Sequence, residues 1–372
     1  MKDTLQTAVT SALKKIDFMI ETLKDGFPEE SSNGYVYKKV DNTGWGQGFW
    51  TGILWLAWEL SGDKKYRDEA LAHIPSFEKR IREKIVVDHH DMGFLYSPTC
   101  VADYKLTGNE NSRNIAVLAA DQLFSRYQEK GRFIQAWGEM GAADNYRLII
   151  DCLMNLPLLY WATEVTGDEK YKNTAYIHFR TTMENIMRND GTTFHTFYFD
   201  TSTGAPLKGV THQGASDSSC WSRGQAWGIY GIALNYGYIK DVPGSIDAIK
   251  YFNQLADYFI NHLGKDNIPY WDLCFTEGDE PRDTSAASIA ICGILEMSKY
   301  INSPKYVEIA DKMLLSLIDN YTTKNLPNSN GLLTDAMYSR PAGNNPECNI
   351  WGDYYYMEAL IRKLNPDWKM YW

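Results

Sequence analysis

Apolar positions fall along this chain in two alternating patterns. In one, nearly every position is apolar or small, as in Gly48-Phe-Trp-Thr-Gly-Ile-Leu-Trp-Leu-Ala-Trp58 and Thr284-Ser-Ala-Ala-Ser-Ile-Ala-Ile-Cys-Gly-Ile-Leu295. In the other, seen from Lys64 to Arg82, Glu110 to Tyr127 and Lys170 to Met187, charges recur at helical spacing along one side. The first pattern predicts helices buried all round, the second helices with one wet face. A short turn signal separates them: Ser61-Gly62-Asp63-Lys-Lys-Tyr66, Thr107-Gly108-Asn109-Glu-Asn-Ser112, Thr166-Gly167-Asp168-Glu-Lys-Tyr171 and, more loosely, Ile301-Asn302-Ser303-Pro304-Lys-Tyr306. Glycine ends one helix and Asp, Asn or Ser caps the next, so the unit is a repeated αα-hairpin. With the segments that begin near Asp151, Ser222 and Trp351, about six inner helices result, enough to close a ring rather than leave an open solenoid. Strand signal is sparse. It is best over Thr192-Thr-Phe-His-Thr-Phe-Tyr-Phe199, predicting a small β-hairpin in the long connection from Asn189 to Cys220. Nothing resembles an interdomain linker, and residues 1–372 read as one all-α domain.

Composition matters here mainly for what it excludes. A net charge of -10 and a pI near 5.3 argue against nucleic acid or an anionic membrane as partner, because the overall field repels phosphates. The N-terminus lacks a basic stretch followed by an apolar one, and no apolar run approaches membrane length, so the chain reads as soluble and cytoplasmic. Cys100, Cys152, Cys220, Cys274, Cys292 and Cys348 are widely scattered without a CxxC pair, as buried free thiols in a reducing compartment would be. The neighbours His89 and His90 cannot share one helix face, and neither a metal nor a cofactor is expected. Aromatic residues make up 14%, including 12 Trp and 25 Tyr. They either fill a tight helical core or line a site that stacks flat ligands or sugar rings.

Two acids change that picture. Asp151 interrupts the apolar stretch Arg-Leu-Ile-Ile-Asp-Cys-Leu-Met-Asn-Leu-Pro-Leu-Leu, where a carboxylate is neutralised, paired or put to use. Asp91 borders another apolar aromatic segment and, lying nearer the helix beside Gly93-Phe94, is better placed than Asp88. Such a pair suggests acid/base chemistry on an uncharged or weakly basic atom such as a glycosidic oxygen. The alternative for Asp151 is a carboxylate satisfied by a neighbouring helix's N–H groups, and Pro157 either kinks its helix or starts it afresh.

Further polar and aromatic residues gather just ahead of the inner helices: Trp45, His90, Trp221, Arg223, Gln225, Trp227, Arg282, Asp283 and Asp353. If those helices run parallel, their N-terminal ends meet at one mouth. Arg223 stands between Trp221 and Trp227 with no acid written beside it, which suits a substrate carboxylate. Trp45, Trp137, Trp221 and Trp227 are stacking faces or core, while His195, His212 and Gln213 lie in the connection that folds over the site. Asp63 and Asp168 read as caps. Asp283 also reads first as a cap, and Asp353 as a first-turn acid or a weak site candidate.

Taken together, the motifs resemble the unsaturated glucuronyl hydrolases of glycoside hydrolase family 88. They include Asp-Asn-Thr-Gly-Trp45, Asp88-His-His-Asp-Met-Gly-Phe-Leu-Tyr96, Ile134-Gln-Ala-Trp-Gly138, Ile149-Ile-Asp-Cys-Leu-Met-Asn-Leu-Pro157, Thr211-His-Gln-Gly214, Trp221-Ser-Arg-Gly-Gln-Ala-Trp-Gly-Ile-Tyr-Gly231 and Ile350-Trp-Gly-Asp-Tyr-Tyr-Tyr356, spread over nearly the whole chain. The resemblance implies an (α/α)6 barrel and a substrate left by a polysaccharide lyase, an oligosaccharide ending in a 4,5-unsaturated uronic acid. It also implies that Asp151 protonates C4 and helps activate the water that adds at C5, with Asp91 stabilising the oxocarbenium-like state. His90, Trp45, Trp137, His212, Gln213, Arg223 and Trp227 would then surround the unsaturated ring. The rival readings are an unsaturated rhamnogalacturonyl hydrolase, an inverting glycosidase for saturated sugars, a sugar isomerase and a noncatalytic saccharide-binding protein.

Overall fold

Gly62, Gly108 and Gly167 adopt left-handed backbone (φ 72°, 77° and 77°), each donating its N–H back to the helix it ends. A side chain is strained there, so glycine is the stop. Asp63, Asn109 and Asp168 then cap the following helices through side-chain bonds from the Lys65, Asn111 and Lys170 amides. At the looser fourth turn Ser303 makes no capping bond; Pro304, which has no N–H to satisfy, opens the helix instead.

The computed structural model describes residues 1–244 and 246–372. Six outer helices, Lys2–Leu23, Lys64–Arg82, Glu110–Phe124, Glu169–Ile186, Ala248–Asn261 and Pro304–Ser316, alternate with six inner ones. The inner set is Gln47–Ser61, 92–107, 152–166, Ser222–Ile239, Thr284–Met297 and Ile350–Leu364. Burial follows the sequence pattern. Every residue from Gln47 to Ala57 is buried, whereas Lys64–Arg82 buries only a stripe of Tyr66, Ala70, His73, Ile74, Phe77, Arg80 and Ile81.

Small residues close the ring. A Cβ on Gly93 would lie 2.5 Å from Asn155 Cα, and one on Gly231 2.3 Å from Leu153 Cβ. Gly48 faces the Phe94–Leu95 backbone, Gly293 faces Tyr230, Gly352 faces Ser285 and Gly52 faces Tyr354, so every seam between neighbouring inner helices carries a glycine. The contacts of Gly48, Gly93 and Gly352 join first-turn residues to first-turn residues, which sets the helices parallel with their N-terminal ends at a shared mouth.

The expected hairpin forms from Thr196–Phe199 and Pro206–Val210, with a bulge at Tyr198/Phe199. A third strand that sequence reasoning did not anticipate, Arg147–Ile149, pairs antiparallel with it, Ile149 opposite Thr196. This sheet delivers the chain to Asp151. All six cysteines are free thiols, five of them buried. Among the described residues no helix is long and apolar enough to cross a membrane.

Candidate active site

Asp151 sits where strand gives way to a broken helix. The helix runs from Cys152 to Asn155 and restarts at Pro157, so the proline begins a new segment rather than bending an old one. Asp151 occupies the N-cap position but makes no capping bond, and its buried Oδ1 has no hydrogen-bond partner. The neighbouring loop is clamped against it. Gly93 lies on the Asn155 backbone, and the Phe94 amide donates to Asn155 Oδ1 at 3.0 Å.

That clamp brings Asp91, Asp151 and His90 together, with ligating atoms all within 4.8 Å of one another. His90 Nε2 is 3.4 Å from Asp91 Oδ1 and 3.4 Å from Asp151 Oδ1, without hydrogen-bond geometry to either. Among the described residues this trio is the one cluster able to hold a cation.

Burial, and after it the Asp91 charge, push the Asp151 carboxyl well above its usual range. For Asp91 burial also acts upward, but His90, the hydrogen bond and charge of His89, and Arg80 outweigh it and hold the carboxylate below the ordinary value. His90 is itself kept neutral, pushed down to about 4 by burial. His89 Nδ1 lies 3.0 Å from Asp91 Oδ2 and accepts from the Asp91 amide, while its Nε2 meets the Val86 carbonyl at 3.0 Å. Two carboxyls in different environments divide into a loaded acid and a permanent anion.

Around them stand the other residues picked out from sequence. Arg223 is fully buried, but not unpaired: the fold brings Asp283 to it from sixty residues away, at 3.2 Å. Its guanidinium also donates to the carbonyls of Met337 and Tyr338 and, at 2.6 Å, to Gln213 Oε1. The expectation of a free guanidinium is thereby corrected; its charge is already matched. Asp283 does cap its helix, through the Ser285 and Ala286 amides. Asp353 does not serve its own first turn: its carboxylate accepts from the Leu332 and Leu333 amides and from Tyr37, and burial raises its pKa to about 7. Asp88 is exposed and pairs with Arg126.

The tryptophans divide. Trp227 is only 1% exposed, wedged between Phe94 and Tyr355, and Trp221 is buried under the Arg223 guanidinium. Trp45 is half-buried, stacked near Trp351 and donating to the Tyr338 hydroxyl at 3.1 Å. Trp137 is 40% exposed, its ring 6.4 Å from His90. His195 is buried, bonded to Thr196 and 5.4 Å ring to ring from the exposed His212. Sequence reasoning passed over Arg147 and Asn155, and weighed His89 only as a metal ligand. The one available signal was a guanidinium at Arg147 opening the apolar run that Asp151 interrupts.

The Glycosyl Hydrolase Family 88 model matches residues 19–366. The unsaturated chondroitin disaccharide hydrolase of Streptococcus agalactiae is 48% identical over 375 residues, covering 99% of this chain and 93% of the relative. A crystal structure of the unsaturated glucuronyl hydrolase of Streptococcus agalactiae superposes with a TM-score of 0.96 at 48% identity, covering 100% of this chain and 94% of that one. An Asp-to-Asn variant of that organism's enzyme, in complex with dGlcA-GalNAc6S, matches with a TM-score of 0.88 at 44% identity, again over 100% and 94%.

Proposed function

This chain belongs to glycoside hydrolase family 88, and from that premise we propose the following reaction and division of labour. The enzyme is an unsaturated glucuronyl hydrolase. It removes the 4,5-unsaturated uronic acid from the non-reducing end of lyase-generated glycosaminoglycan oligosaccharides, with unsaturated chondroitin disaccharides the first substrates to assay.

The observation that carries the assignment of roles is the Asp151 carboxyl, its Oδ1 buried and unpartnered and its pKa raised by burial and then by its neighbour Asp91. Asp151 delivers its proton to C4 of the vinyl ether, and the positive charge that develops at C5 is stabilised by the Asp91 carboxylate. Water adds at C5, returning a proton to Asp151, and the hemiketal opens to release the sugar. The acid is thus restored and no electron donor or acceptor is consumed. A carbon acid needs a donor still loaded near neutral pH, which is the direction of the Asp151 shift. Trp45 and Trp137 offer ring faces to the sugars. His90, His195, His212, Gln213, Trp221 and Trp227 shape the pocket, and Arg223, already paired, holds Gln213 and the Tyr338 segment in place. The free cysteines fit a cytoplasmic setting.

Incubation with unsaturated chondroitin and hyaluronan disaccharides, followed by the ultraviolet absorbance of the double bond and by reducing ends, tests the reading. Loss of absorbance with one sugar released per bond is expected. Persistent absorbance with every lyase product would sink it, and turnover confined to unsaturated rhamnogalacturonan products would transfer the activity to the rival hydrolase.

A further inference from the structure

Arg80 belongs to the outer helix Lys64–Arg82 and is only 1% exposed. Every hydrogen bond it makes goes to an uncharged acceptor: the Ile85 carbonyl at 3.2 Å, Asn42 Oδ1 at 2.9 Å, the Thr43 carbonyl at 3.2 Å and the Val86 carbonyl at 2.8 Å. No carboxylate is among these partners. A full positive charge is thus buried without neutralisation, which is costly and persists when something else requires it.

The acceptors lie in the two segments that lead into the mouth. Asn42 and Thr43 precede Trp45, and Ile85 and Val86 precede Asp91. The second segment is strained: Lys84 and Val86 adopt left-handed backbone, φ 56° and 45°, a conformation that a β-branched residue resists. Burial of the Val86 side chain does not compensate, since the residue is 57% exposed. What the turn secures is the Val86 carbonyl, which accepts from Arg80 Nη2 and meets His89 Nε2 at 3.0 Å. His89 Nδ1 in turn accepts from the Asp91 amide at 3.2 Å and stands 3.0 Å from Asp91 Oδ2. A continuous chain of contacts runs from the outer helix through Val86 and His89 to the anion of the pair.

Charge acts along the same line. The titratable groups around Asp91 are Asp151, His89, His90, Arg80, Arg126 and Tyr338, and those around Arg80 are Asp91, Tyr96 and Glu30. Arg126 is paired with Asp88. Burial pushes the Asp91 carboxyl up; of His90, His89 and Arg80, which together pull it below its ordinary value, only the guanidinium is charged at every working pH.

We propose that Arg80 is a positioning residue for Asp91: it grips the strained Val86 turn that aims His89 at the carboxylate, and it keeps a buried positive charge, taken by no acid, within range of that anion. The inference rests on the hydrolase reading above, and two readouts keep the two apart.

The first readout needs no substrate. The Asp91 carboxyl is titrated by carbon NMR of protein labelled at aspartate, its resonance identified by loss in Asp91→Asn. An opposite charge favours the carboxylate, so its removal raises the midpoint. In Arg80→Gln, neutral but still able to donate to carbonyls, the rise is expected to be about half a unit or more, and in Arg80→Lys less than half of that. The second readout is the pH profile of kcat/KM on an unsaturated chondroitin disaccharide. Activity needs Asp91 ionised, so the acid limb of Arg80→Gln moves to higher pH with the midpoint, while kcat at neutral pH falls by about tenfold or more as the turn loosens. Glycine adopts φ 45° without strain, so adding Val86→Gly to Arg80→Gln restores part of kcat and leaves the limb displaced. An Asp91 midpoint unmoved in Arg80→Gln, or moved equally in Arg80→Lys, overturns the proposal, and so does a kcat loss that Val86→Gly does not relieve. If wild type turns over no lyase product while the midpoint moves as described, the hydrolase reading fails and the positioning role stands. Should circular dichroism show Arg80→Gln unfolded, the double variant is titrated against Val86→Gly alone, with the same rise expected.

Discussion

The two ends of the helical ring handle buried charge in opposite ways. At the base, Arg362 donates to Glu296 at 2.6 Å, to Glu358 at 2.9 Å and to Tyr230 at 2.7 Å, while Trp372 donates to the second oxygen of Glu358 at 3.0 Å. Each charged group of that cluster has a hydrogen-bond partner. At the mouth, Asp151 Oδ1 and both ring nitrogens of His90 lack hydrogen-bond partners, and Arg147 lacks an acid. Both clusters sit among inner helices of similar apolar character, so burial alone does not distinguish them. What differs is completion: the base is closed upon itself, and the mouth is left for a ligand to finish.

Substitutions that break this contrast produce effects of different kinds. The largest is expected at Asp151→Asn, which abolishes turnover, by about a hundredfold at the least, with melting temperature unchanged or raised because an isosteric neutral amide replaces a carboxyl whose charged form burial and Asp91 disfavour. Absorbance assays and thermal melts on one preparation check both halves. Arg362→Met should do the reverse. It leaves Glu358 without a cation and Glu296 with Lys299 alone, lowers stability by about 3 to 5 kcal/mol in urea unfolding, and leaves kcat of the remaining folded protein near normal.

A subtler test uses pH. Activity requires Asp151 protonated and Asp91 ionised, so kcat/KM falls on the alkaline side as Asp151 loses its proton and on the acid side as Asp91 gains one. The Asp91 charge is one of the causes that raise Asp151, so in Asp91→Asn the residual activity should lose its alkaline limb at lower pH than wild type. A limb that moves upward or stays fixed would dissociate the pair. The smallest effect is expected at Asp88→Asn: the carboxylate lost is exposed and the buried Arg126 keeps the Gln135 and Gly138 carbonyls, so the cost is about 1 kcal/mol and kcat/KM stays within about twofold.

How much of this was visible in the chain itself depended on distance. The turns at Gly62, Gly108 and Gly167 were legible because helix stop and cap lie within a few residues of each other. Asp151 was legible because a carboxyl in an apolar run is anomalous wherever the run goes. The pairing of Arg223 with Asp283 was not, since a partner sixty residues away leaves no local trace, and the reach of Asp353 to Leu332, Leu333 and Tyr37 was hidden for the same reason. The strand Arg147–Ile149 escaped because three residues pair with a hairpin some fifty positions on, too short to show alternation. Arg147 became conspicuous only through a partner it does not have.

The contact of Gly93 with Asn155 has a further meaning. The spacing of proton donor and anion is gauged by the missing methyl group of one residue, as a feeler blade sets the gap between two plates. The interval across which the proton is handed over is held by that backbone contact.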